Sequence, residues 1–110
     1  MIVSIDARQI TDRLSFHKLF AKTFGFFSGY GNNMDAWIDC MSGLDDRSDV
    51  RLSEIGCAVG EVVVLNLEHA ADFSVRKELI FQEFLACVAF VNQRRIERGE
   101  EAILALSYYK

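Results

Sequence analysis

The sequence predicts an α/β fold, a three-stranded parallel β-sheet packed with three to four α-helices. Two observations carry that expectation. Strand-like and helix-like segments follow one another as strand, helix, helix, strand, helix, strand, and strands joined through helices run parallel. The middle strand, Val62-Val63-Val64-Leu65-Asn66-Leu67, is a continuous apolar run, the pattern of a parallel strand covered on both faces.

In chain order, Met1-Ile2-Val3-Ser4-Ile5 reads as the first strand, ended by Asp6. Thr11 or Asp12 can cap a helix over about 13–24, with Phe16, Leu19, Phe20 and Phe24 at helical spacing and Gly25 as its stop. Phe26 to Gly31 is an aromatic loop. Its Phe pair is expected in the core, whereas Tyr30 is open between core and binding surface. A short helix follows from about Asn33 to Met41, capped by asparagine and stopped by Gly43, with Met34, Trp37, Ile38 and Met41 on its core face.

Residues 42–60 are expected to be the least structured stretch, functional or mobile, with room for a helical turn or an edge strand. After the middle strand, Asp72 or Ser74 caps one long helix to about Glu97, with Leu79, Ile80, Phe84, Cys87, Val88 and Val91 at helical spacing. Its Arg94 and Arg95 suit the negative end of its dipole, and Gly99 ends it. Ala102 to Ser107 is the last strand.

The chain has 110 residues, 51% hydrophobic and 25% charged, which fits a single domain over 1–110 with a sizeable core. Net charge is −4, the wrong sign for a dedicated nucleic-acid binder and the right one for steering a basic protein partner. Cys40, Cys57 and Cys87 are odd in number and widely spaced, which argues against a disulfide framework and for a reducing, cytoplasmic setting. Cys57 is expected to be the exposed one. No signal peptide opens the chain, and the longest apolar run, Phe84 to Val91, is too short to span a bilayer.

Enzyme chemistry finds little support. Gly25, Gly29 and Gly31 lack the preceding strand and the lysine of a phosphate cradle. His17 reads as a packed or surface residue inside a helix. His69, Glu68 and Asp72 match no metal-ligand spacing. Cys40 lies beside Asp39, whose charge opposes a reactive thiolate. Neither a catalytic residue nor a cofactor nor a metal is expected.

The notable pair is Asp35 and Asp39. Four residues apart, they share a helix face, where like charges repel by roughly 0.2–0.5 kcal/mol. Asp39 also sits at the end of the helix where the dipole disfavours an anion. The pair is either a solvated acidic face or a surface for a cationic partner. As catalytic carboxylates they would point the same way rather than across a substrate.

The stretch Tyr30-Gly31-Asn32-Asn33-Met34-Asp35-Ala36-Trp37-Ile38-Asp39-Cys40-Met41-Ser42-Gly43 resembles the barstar family, intracellular inhibitors of barnase-type ribonucleases. The family pattern is aromatic, Gly, any residue, Asn, apolar, Asp-Ala, two apolar, Asp, then a small residue and Gly. Gln9-Ile10 and His17 extend the resemblance over about 1–44. The resemblance implies a three-stranded parallel sheet and blockade of a basic ribonuclease or toxin. Asp39 would take the place of an RNA phosphate, Asp35 would meet the rim, and Tyr30, Asn33, Ile38, Ser42, Gly43 and Leu44 would complete the partner surface.

The chain departs from that pattern at Gly29 and Leu44, where the family has aromatics, and at Gln93-Arg94-Arg95, where a carboxylate is usual. These changes point to a ribonuclease or toxin other than barnase. The competing reading is a non-inhibitory module that recognises a cellular protein through the aromatic loop and the 42–60 segment.

Overall fold

Strand β1 (Ile2–Asp6) lies beside β2 (Val63–Glu68), and β2 beside β3 (Leu104–Ser107), all parallel. The computed structural model describes residues 1–110. Four helices accompany the sheet: α1 (Arg13–Phe24), α2 (Met34–Ser42), α3 (Ala70–Arg76) and α4 (Glu78–Glu97). A 3-10 turn over Ala7–Gln9 leaves β1.

The sheet is covered on one face, not on both. The register sets Ile5 opposite Leu67, and Val3 and Leu106 opposite Leu65, so Ile5, Val63, Leu65, Leu67 and Leu104 all enter the core. The alternate positions look outward. Ile2 is 71% exposed, Val64 and Asn66 are half-buried, and Asn66 donates to Ser4 across the outer face. A β-branched run therefore need not mean two covered faces, because half-covered Val64 carries the same residue type as buried Val63.

Asp12 is the cap of α1. Its carboxylate accepts from Ser15 N–H at 2.7 Å while the Ser15 hydroxyl accepts from Asp12 N–H at 3.0 Å. Phe16, Phe20 and Phe24 line the inner face of α1. Phe16 and Phe20 meet Trp37 of α2 and Phe84 of α4 at ring separations of 5.6 to 6.2 Å. Gly25 ends the helix at φ +66, and a Cβ there would lie 2.7 Å from Glu54, so the position needs glycine twice over.

The long helix expected from Asp72 or Ser74 is two helices. His69, left-handed at φ 61, starts α3, and Lys77 at φ −135, ψ 57 breaks the path before α4. Phe73 and Phe81 pack edge-on across the break. Leu79, expected on the core face, is 76% exposed, and Phe81 is buried instead. The change of axis rotates the apolar stripe, which a single period over 72–97 cannot show. β3 starts at Leu104 rather than Ala102. Asn92 of α4 accepts from Ile103 and Leu104 N–H and donates to Leu104 O, holding the entry to that strand.

Residues 43–62 carry no regular element, yet they are packed rather than free. Phe26 and Ser53 form one antiparallel bridge. Ile55 N–H and the Ser53 hydroxyl donate to Phe24 O, and Glu54 N–H to Gly25 O, so this segment satisfies carbonyls that end α1. Cys57 is buried here, contrary to the expectation that it is the exposed thiol, and Cys87 is the half-buried one. No helix is long and apolar enough to cross a membrane.

Arg95 ties the parts together. Only 5% exposed, it forms a fork to Asp45 at 3.2 and 2.9 Å and donates to Ser42 O and Glu101 O at 2.8 Å each. One guanidinium thus joins α4, the end of α2, the start of the loop and the approach to β3. Truncation to alanine strands Asp45 and two carbonyls. The expected loss for Arg95→Ala is about 3–5 kcal/mol, read as the shift in the urea midpoint, whereas Lys22→Ala on exposed α1 surface stays within about 0.5 kcal/mol.

Candidate functional site

The chain enters α2 through Asn32, left-handed at φ 53, a conformation asparagine tolerates. Asn33 is then the cap, its side-chain oxygen accepting from Ala36 N–H at 2.8 Å. Trp37, Ile38, Cys40 and Met41 turn inward, which leaves Asp35 and Asp39 as the exposed charges of the helix. Asp35 has neither an ion pair nor a hydrogen bond, and it lies in the first turn where the dipole favours it.

Asp39 differs. The Arg94 Nη2 of α4 reaches its Oδ1 at 3.3 Å and the Ser42 hydroxyl at 2.9 Å. Arg95 donates to Ser42 O next to it. Two consecutive arginines therefore face the carbonyl end of α2, which offsets the dipole that disfavours Asp39. The sequence shows both arginines, but their meeting with residues some 50 positions earlier is a tertiary fact. Taken by sequence alone, they belong to the end of their own helix.

Gly43 ends α2 at φ −108, ψ 23, not in the left-handed turn expected of a glycine stop. A Cβ there would meet Asp39 O at 3.7 Å, an ordinary contact. Its lack of a side chain is thus no demand of the fold.

The other expected surface positions lie deeper. Leu44, expected at the partner surface, is 1% exposed, and its side chain packs into the core. Ile38 and Ser42 are nearly buried, and Ser42 Oγ donates to Ile38 O at 2.6 Å. Tyr30 is a core residue, its hydroxyl against His17 Nδ1 and its ring 4.7 Å from that of Phe26. The Phe pair divides, with Phe26 half-buried against Phe24 and Tyr30, and Phe27 exposed on the loop. The open surface is thus Phe27 to Gly29, Gly31 to Asn33, Asp35, Asp39 and the edge of Arg94.

Burial first, then the Asp39 charge, pushes the Cys40 thiol up to about 11, which removes it as a nucleophile at neutral pH. Burial raises the Tyr30 phenol well above its usual range. No group of three or more His, Cys, Asp or Glu side chains is placed to hold a metal ion.

The barstar family model, described as barstar (barnase inhibitor), matches residues 1–107 of the 110. No curated protein matches the chain.

The His17–Tyr30 contact anchors the loop that precedes α2. Burial holds the His17 pKa below its usual 6.5, while Glu83 opposes with a smaller upward pull. The unfolded chain therefore binds the proton more readily. Stability from this group is complete above about pH 6.5 and declines as pH falls from there toward the lowered value, by at most about 1.4 kcal/mol per pH unit. Thermal melts between pH 7.5 and 5.5 should show this slope, and His17→Gln should flatten it. Tyr30→Phe should cost about 1–3 kcal/mol, by leaving a buried ring nitrogen unpaired.

Proposed function

The chain belongs to the barstar family, the barnase inhibitors, and on that premise we propose that it binds a basic ribonuclease or toxin one to one and occludes its active site. The observation that supports this most directly is α2 itself. Its inner face is core, and its outer face presents two carboxylates one turn apart with little else. Such a helix offers two spaced anionic groups, as an RNA backbone does.

In this reading Asp39 enters the partner's phosphate site and Asp35 meets its rim. Desolvation on docking raises the worth of both contacts above that of an exposed pair. Gly43 lets the partner approach the backbone at the helix end. Asn33 fixes the entry turn through its capping bond, and Tyr30 fixes it from below through His17. Ile38 and Ser42 shape the floor, and Leu44 supports it. The acidic chain, net charge −4, speeds the encounter with a basic partner. Inhibition by occlusion requires no turnover by the inhibitor. Free thiols at Cys40, Cys57 and Cys87 suit action in the cytoplasm, where an immunity protein meets a toxin before its release.

The experiment is inhibition of purified basic ribonucleases, barnase included, in a fluorogenic RNA cleavage assay. Asp39→Ala should raise the inhibition constant by about thirtyfold or more, as expected of a central charged contact, with the melting temperature little changed. Equal inhibition by the variant rules out the phosphate-mimic mechanism. Gly43→Ala separates fold from contact: stability within about 0.5 kcal/mol of the parent, with weaker inhibition.

A further inference from the structure

The aspartate proposed to enter the partner's phosphate site is already engaged inside the molecule, and this inference rests on that proposed reading of α2. Arg94 bonds only through Nη2, to Asp39 Oδ1 at 3.3 Å and to Ser42 Oγ at 2.9 Å. Ser42 in turn donates to Ile38 O, which aims its lone pairs at the guanidinium. The Arg94 Nε–H is enclosed with no acceptor, and Nη1 makes no bond. A guanidinium has five donors in a fork that fits a carboxylate. Arg94 thus reaches the edge of the site with its side chain 25% exposed and its Nη1 donors without a protein partner, beside an Asp39 side chain that is 61% exposed.

We infer that Arg94 is a specificity determinant. It competes for Asp39 against any incoming cation, and its own charge repels a rim that is only cationic. It favours a basic ribonuclease or toxin that places a carboxylate beside the cation taken by Asp39, so that both halves of the internal pair are exchanged for intermolecular ones. Charge complementarity carries the argument. The surface reads Asp35 negative, Asp39 negative, Arg94 positive, and the fitting partner reads positive, positive, negative. The internal pair is weak enough to open, because exposed pairs contribute little to stability.

Two measurements test it. In the free chain, Asp39→Ala should speed exchange of the Arg94 Nη protons with water several-fold, followed by proton–nitrogen correlation spectra. An unchanged rate overturns the internal pairing. In binding, barnase is the probe. Arg94→Gln should bind it about three- to tenfold more tightly than the parent chain, and Arg94→Glu more tightly still. Among barnase variants with single active-site-rim Lys or Arg changed to Glu, at least one should reverse the order and prefer the parent chain. Arg94→Gln binding no better than the parent, or a variant set with no reversal, overturns the inference; loss on Asp39→Ala in that same assay leaves the inhibitor reading standing. Failure of the parent, Arg94→Gln and Arg94→Glu alike to bind barnase or its variants overturns the selectivity, while the inhibitor reading stands or falls with the cleavage assay on other basic ribonucleases and the exchange rate in the free chain still decides the internal pair.

Discussion

The buried guanidinium of Arg95 is the constraint on which the arrangement depends. A charge at 5% exposure is tolerable only if its donors are matched, and here they are met by Asp45, Ser42 O and Glu101 O. Each acceptor belongs to a different part of the chain. Ser42 closes α2, Asp45 opens the irregular segment, and Glu101 precedes β3. The long irregular stretch can therefore stay irregular. Its first residues are clamped by Arg95 and its middle is used to cap α1, so it needs no helix or strand of its own.

A second consequence concerns how α2 is presented. A nine-residue helix is too short to hold its shape alone in water. It stands because Trp37 and Met41 are wholly buried, Trp37 against Phe16, Phe20 and Phe84, and because Asn33 and the two arginines satisfy its ends. The indole N–H of Trp37 has no hydrogen-bond partner, a cost of about 1–3 kcal/mol that its ring packing must exceed. Core and candidate site are thus two faces of one short element. Side chains that serve the surface can be few, since the opposite face does the holding.

Local chemistry made much of this legible. Asp12 and Asn33 stand at caps where short polar side chains precede apolar periodicity, and both are the caps of α1 and α2. The parallel sheet follows from the element order, and the exposed Asp35–Asp39 pair from a spacing of four. What escaped were features decided at long range. Lys77 breaks a helix that propensity alone continues. Leu44 and Cys57 look like loop residues until the loop is seen packed on the core. Arg94 and Arg95 have partners some 50 residues away, and no period within the sequence points to them. Val64 faces outward because nothing in the chain remains to cover that side of so small a sheet.

The clamp at Arg95 also sets an order in time. Asp35 and Asp39 are made early, and the residues that define their helix are complete by Gly43. The side chain that fixes the end of that helix is made 52 residues after it, and the Glu101 carbonyl that completes the clamp comes later still. A growing chain thus carries the acidic motif long before it carries the means to hold it rigid. Competence at the candidate site arrives only once Arg95 and Glu101 have been made, close to β3, and a chain truncated before Arg95 would display the motif without its brace.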